Sequence, residues 1–213
     1  MLNAYITQVQ QLLHDPLAQN WTTAQLTNYI NLARNRVAQD TKCLRQVMTG
    51  YSLTALQEQY QIANLPVAYA PYIIDVMGID VYWTTTVRQS LYYFPWTQFN
   101  VRYRGWTQIQ NTPEAFTRMG ALSVYFGPMP DQAYVTDWIL AINPNPLVTD
   151  ATPEQIPVPF QDPIQFFAAY MAKFQEQAMG EAQIFFNEYI KWIKMVQRSF
   201  MTRIVQDPYD TGA

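Results

Sequence analysis

Few side chains in this chain could do chemistry. His14 is the sole histidine and Cys43 the sole cysteine. Together they cannot supply the full set of N and S ligands of a structural zinc site, and one cysteine cannot form an intrachain disulfide. A Ser-His-Asp arrangement would have to use His14, yet no G-x-S-x-G elbow presents a serine to it. Neither G-x-x-x-x-G-K-[ST] nor G-x-G-x-x-G occurs, and the seven glycines are too scattered to cradle a phosphate. Carboxylates remain. Asp75 and Asp80 lie in an aromatic stretch near Trp83, where a pair of acids could cleave a glycosidic bond. Five positions apart on a regular strand, they point to opposite faces. Asp131 and Asp137 are six apart and could share a face, but Asp131 falls in a turn. A cell-wall or polysaccharide-degrading enzyme built on Asp/Glu pairs is therefore the alternative reading. The leading one is a protein with no catalytic residue, no metal and no cofactor.

Residues 92–106, YYFPWTQFNVRYRGW, interleave aromatics with arginine. That pattern can stack single-stranded nucleic acid, but the stretch has no lysine and no RNP-like motif. Packing accounts for it better. Trp96, Phe99, Tyr103 and Trp106 are assigned to packing under a sheet or against a neighbouring subunit, and Trp192 joins them.

The elements that would position these side chains follow from periodicity. Tyr5, Val9, Leu12 and Leu13 mark an amphipathic helix over residues 3–14, stopped at Asp15-Pro16. Thr22 to Gln25 reads as a capping box, and Leu26, Tyr29, Ile30, Ala33 and Val37 extend a helix to Cys43 or Leu44. From residue 51 the period changes to two. Strands are expected near 51–56, 60–63, 72–83 and 88–93. A hairpin is expected from Ala121–Phe126 and Ala133–Ile142 around Gly127-Pro128-Met129-Pro130-Asp131. A proline-rich crossing over 143–159 returns the chain to two long helices that begin at Asp162-Pro163 and break at Gly180. The expected fold class is α+β. Residues 1–50 hold N-terminal helices, 51–156 a β-rich middle, 157–203 a C-terminal helix pair completing a helical body, and 204–213 a flexible tail.

Only 14% of the 213 residues are charged, against roughly 25% in an average soluble chain. A homo-oligomer that hides surface between copies accounts for this. Net charge is −3, which gives no basic footprint for nucleic acid. Residues 111–190 hold two basic and nine acidic side chains, a composition that repels a phosphate backbone and could line a passage. The sequence shows no signal peptide and no run approaching the roughly 18–20 apolar residues of a membrane span. The expectation is a product made in the cytoplasm, with no membrane partner. A membrane-surface role for Trp192, Phe200, Lys191 and Lys194 ranks below a core or subunit role, because the apolar face is wide and Glu181 and Glu188 share the helix.

The order of these pieces carries a resemblance. The helix TTAQLTNYINLARNRVAQDTKCLRQ, then a β-rich middle closing on FGPMPDQAYVTDWIL, then IPVPFQDPIQFFAAYMAKFQEQ and a second long helix, resembles the head-to-tail adaptor (connector, head-completion) proteins of tailed bacteriophages. The resemblance covers most of the chain. It implies a structural virion protein at the head–tail junction that forms a ring of about twelve copies. Its implied partners are the portal ring, tail or nozzle proteins, further copies of itself, and double-stranded DNA that passes through without sequence-specific binding. By position, portal docking falls to the C-terminal extension: Arg198, Phe200, Met201, Arg203, Ile204, Val205 and Tyr209.

Overall fold

A computed structural model of the chain describes residues 1–17, 19–66, 68, 72–84, 87–104, 109–120 and 123–200, the last two without their side chains. The architecture is α+β. Two compact units form: Met1–Thr41 with Asn145 onward, which is helical, and Lys42–Pro144, which is β-rich.

In the helical unit, α1 (Leu2–Leu12) buries Leu2, Tyr5, Ile6 and Val9. The second helix, α2 (Thr23–Thr41), starts as the capping box predicts. Thr22 Oγ1 accepts from Gln25 N–H at 3.3 Å, and Gln25 Oε1 accepts from Thr22 N–H at 3.0 Å. It ends two to three residues earlier than periodicity suggests, because Lys42 turns into the left-handed region (φ 50°). Asp15 organises the approach to α2. Its carboxylate accepts the backbone N–H groups of Gln19, Asn20 and Trp21 at 2.9–3.1 Å.

A short α3 (Trp96–Phe99) belongs to the β-rich unit, and the two C-terminal helices are α4 (Asp162–Gln175) and α5 (Met179–Phe200). The break falls at Glu176–Ala178 and not at Gly180. Gln177 adopts φ 61° and ends α4, whereas Gly180 sits in the first turn of α5, where helix N–H groups lack partners in any case. The faces differ from the aromatic stripe. Ile164, Ala168, Ala169 and Ala172 of α4 are fully buried, so small side chains let α4 approach α1, α2 and α5 closely. The large rings Phe166, Phe167, Tyr170, Phe186 and Trp192 form a half-buried seam between α4 and α5, with centroids 5.0–6.3 Å apart along it. Tyr189, which meets Phe167 in this seam, is fully covered, and its hydroxyl donates to Asp40 at 2.7 Å.

The stretch 143–159 is more than an extended crossing. Leu147 and Ile156 are buried, and Asn31 of α2 grips Leu147 twice, donating to its carbonyl at 3.0 Å and accepting from its N–H at 2.8 Å. Beside them Arg34 and Glu154, with side chains 1% and 3% exposed, pair at 2.8 Å. Arg34 also donates to the Asn145 carbonyl at 2.7 Å, and Glu154 accepts from the N–H groups of Gln155 and Ile156. Each partner thus has its remaining donors or acceptors met, as a buried ion pair requires.

In the β unit, the strands in chain order are β1 (Arg45–Ser52), β2 (Gln59–Gln61), β3 (Ile73–Tyr82), β4 (Arg88–Ser90), β5 (Tyr92–Tyr93), β6 (Gln110–Asn111), β7 (Ala115–Met119), β8 (Ser123–Gly127), β9 (Met129–Pro130) and β10 (Val135–Ile142). They form sheets ordered β1-β10-β3-β4 and β2-β8-β7-β5, plus a small parallel pair β6-β9. The expected hairpin between 121–126 and 133–142 does not form. β8 lies between β2 and β7, and β10 lies between β1 and β3, so both ladders of each strand are taken and the 128–134 connection crosses from one sheet to the other. The inner faces meet in one core holding Met48, Val76, Ile79, Trp138 and Leu140 from the first sheet and Tyr60, Phe116, Val124 and Phe126 from the second. Trp138, 0% exposed, is its largest member; it packs edge-on to Tyr51 and Phe126 at 5.6 and 5.7 Å, and its indole N–H donates to Thr136 at 2.8 Å.

Among the described residues, no helix is long and apolar enough to cross a membrane.

Candidate functional site

The carboxylates with catalytic potential are each engaged. Asp75 is flanked by Lys42 and Arg118. Asp131 accepts from the Tyr134 hydroxyl at 2.7 Å. Asp80 and Asp137, whose pairing the sequence spacing conceals, lie directly opposite each other across the β3–β10 ladder, on the face away from the core. Like charges so placed repel, and the surrounding donors answer them. Asp137 accepts the Gly50 N–H at 3.0 Å and the Tyr82 hydroxyl at 2.7 Å. Asp80 accepts from Ser90 at 2.5 Å and meets Arg88 at 3.4 Å. The bond to Asp137 holds the Tyr82 phenol above its usual range. A groove lined by Thr49, Tyr82, Trp83, Gln132, Tyr134 and Asp137 opens beside this network. Among the described residues no three His, Cys, Asp or Glu side chains converge as a metal site would need.

Phe94, Trp96, Phe99 and Tyr103 of the aromatic–arginine stretch pack within the chain, while Tyr92 and Tyr93 stay exposed. After the edge strand β5, the helix α3 (Trp96–Phe99) and a wide helical turn over Asn100–Arg104 fold over the outer face of the second sheet. Phe99 is 0% exposed among Ala115 and Tyr125, with Phe94, Trp96 and Tyr103 half-buried around it. Gly127 permits this closeness: a Cβ there would stand 2.7–2.9 Å from ring atoms of Tyr103 and Phe99. Arg102 lies over Phe94 and Tyr103, and Arg104 over Trp96 and Tyr125, with guanidinium-to-centroid distances of 5.3–5.6 Å. Arg104 also pairs with Glu58 at 2.9 Å. The rings of Phe94, Trp96 and Tyr103 are thus engaged by neighbouring rings and cations, whereas Tyr92 and Tyr93 are 67% and 56% exposed. Trp106 lies outside the described residues.

Exposed apolar side chains occur on both units, Trp83, Tyr92 and Val101 among them on the β unit; on the helical unit several of them line α5. The outward face of α5 carries Ile184, Asn187, Lys191, Lys194, Met195 and Arg198 at helical spacing, all exposed. Trp192 is turned inward, stacked on Phe166 with the rings 6.3 Å apart and 17° from parallel. At the other end of the helix pair, around the α4–α5 junction, Phe174, Met179 and Ile184 are 48%, 55% and 63% exposed. Of the residues expected to dock a portal, Arg198 belongs to the outward face of α5 and the Phe200 backbone to its last turn. Met201, Arg203, Ile204, Val205 and Tyr209 lie outside the described residues.

Charge is distributed by unit, not by sequence segment. The β unit, residues 42–144, holds six basic and six acidic side chains and is neutral. The acidic stretch 111–190 is divided at Pro144 between the two units. A family model described as SU10 adaptor protein matches residues 3–207. No curated protein matches the chain.

Proposed function

The chain belongs to the SU10 adaptor protein family, and on that premise we propose that it assembles as a ring of about twelve copies between portal and tail, extending the passage for DNA. As an adaptor it is a structural component of a tailed-phage virion that works with portal and tail proteins. The observation that carries the ring is the exposed apolar side chains on the helix pair, Phe174, Met179 and Ile184 around the α4–α5 junction and Met195 toward the end of α5, on a chain with only 14% charged residues. Such surface suits a permanent contact. Docking on the portal falls, in this reading, to Arg198 and Phe200 at the end of α5 and to the segment beyond it through Tyr209.

The test is co-purification of the chain with the portal ring, with complex mass read by native mass spectrometry. The full chain yields one stoichiometric complex, and deletion of residues 204–213 abolishes it. A deletion variant that binds the portal as tightly as the full chain overturns the docking assignment.

A further inference from the structure

We propose that the outward face of α5 in one copy seats on the α4–α5 junction of the next copy, head to tail. This rests on the ring reading and adds to it which faces meet.

Consider the two ends of the outward face. Toward the C-terminus, Lys191, Lys194 and Arg198 surround Met195, which is 48% exposed. Glu188, 3.2 Å from Lys191, is the one carboxylate that pairs with these cations among the described residues. At the α4–α5 junction, Phe174, Met179 and Ile184 stand open beside Glu176 and Glu181, and both acids share Lys173 at 3.0 Å. One patch therefore has excess positive charge around an apolar centre, and the other has excess negative charge around a larger one. Thirteen positions of helix separate Glu181 from Lys194, about 20 Å of rise.

A patch that fits a different patch on an identical molecule makes a heterologous contact. It requires a second copy, runs in one direction, and closes into a ring where the rotation permits. Either patch placed against its own twin brings like charges together. A polyanion would suit the cationic end alone and leave Phe174, Met179, Ile184 and the two glutamates unexplained. The same chain carries both halves, each with an apolar centre and a charged rim, which is the anatomy of a protein–protein interface. Arg198 stands at the end of the stripe, where this contact and the portal contact adjoin.

The test is a charge swap in the full chain. One variant carries Lys191→Glu and Lys194→Glu, a second Glu176→Lys and Glu181→Lys, and a third all four. Native mass spectrometry measures assembly, free and on the portal ring, with melting temperature as the check on folding. Each two-site variant is expected to weaken assembly by about tenfold or more, the four-site variant to restore it, and an equimolar mixture of the two two-site variants to assemble where neither does alone. Assembly unchanged in the two-site variants overturns the face assignment and leaves the ring reading standing. Dimers as the only product overturn the head-to-tail arrangement. A wild-type chain that is monomeric both free and on the portal overturns the ring reading itself.

Discussion

At the scale of single residues, the positions that matter most are ones whose type alone gives no sign of it. Gly127 is one of seven glycines, yet its missing Cβ is what lets Phe99 and Tyr103 lie against β8. Gly127→Ala forces two packed rings to shift, and overpacking of this kind costs about 1–3 kcal/mol; urea denaturation will show a lowered midpoint with an unchanged slope. Arg34 reads in sequence as an outward-facing helix residue and is instead 1% exposed. Its guanidinium holds the 145–156 strap through Glu154 and Asn145. Arg34→Ala leaves the Glu154 carboxylate buried without its cation and costs about 3–5 kcal/mol, whereas Arg34→Met with Glu154→Leu, which removes both charges, costs markedly less. Thermal unfolding of the three proteins separates the two outcomes. No periodicity rule could place these residues, because an arginine on the fourth position of a turn looks the same whether water or a buried glutamate lies beyond it.

At the scale of elements, helices were legible and pairing was not. α1, α2, α4 and α5 all follow from apolar spacing and from the Thr22 and Asp162-Pro163 start signals. Their ends were harder, since Lys42 and Gln177 terminate helices with positive φ that nothing in their chemistry announces. Strands were legible as period-two runs, but the partners of β8 and β10 are distant in sequence, and adjacency suggested a hairpin that sheet order excludes. The α2–α5 clamp shows what such elements gain from polar side chains. Burial, reinforced by the Asp40 carboxylate that its hydroxyl faces, pushes the Tyr189 phenol well above its ordinary range. A group whose pKa is raised on folding stabilises the fold fully below its unfolded pKa, near 10 for tyrosine, and that contribution is lost as pH rises above it. Melting temperature is therefore expected to fall above pH 10, and Tyr189→Phe, which has no proton to lose, to flatten that fall while lowering stability at neutral pH. At the other extreme, three backbone N–H groups outweigh burial and hold the Asp15 carboxyl below its usual range. Its contribution is present above the unfolded pKa and lost on acidification. Asp15→Asn is expected to weaken the acid-induced transition below about pH 4.

At the scale of the whole molecule, family membership was legible from the order of the segments, because order survives where individual motifs are loose. The disposition of charge was not. The acidic stretch 111–190 is shared between a neutral β unit and a helical unit whose positive end lies on α5. This bears on how the assembly meets DNA. Lys191, Lys194 and Arg198 lie on one helical face at a spacing that reaches neighbouring phosphates, and three such contacts give a log–log salt slope of about −3. If that face is covered by the next copy, only the unassembled chain offers it. Duplex DNA retention measured from about 50 to 200 mM salt is then expected to be weak and steeply salt-dependent for the monomer, and to vanish for the purified ring. A ring with its cations on the passage would behave in the opposite way, since many stripes held together would bind far more tightly than one. Stronger retention by the ring than by the monomer would therefore move the α5 face from the subunit contact to the wall of the DNA passage.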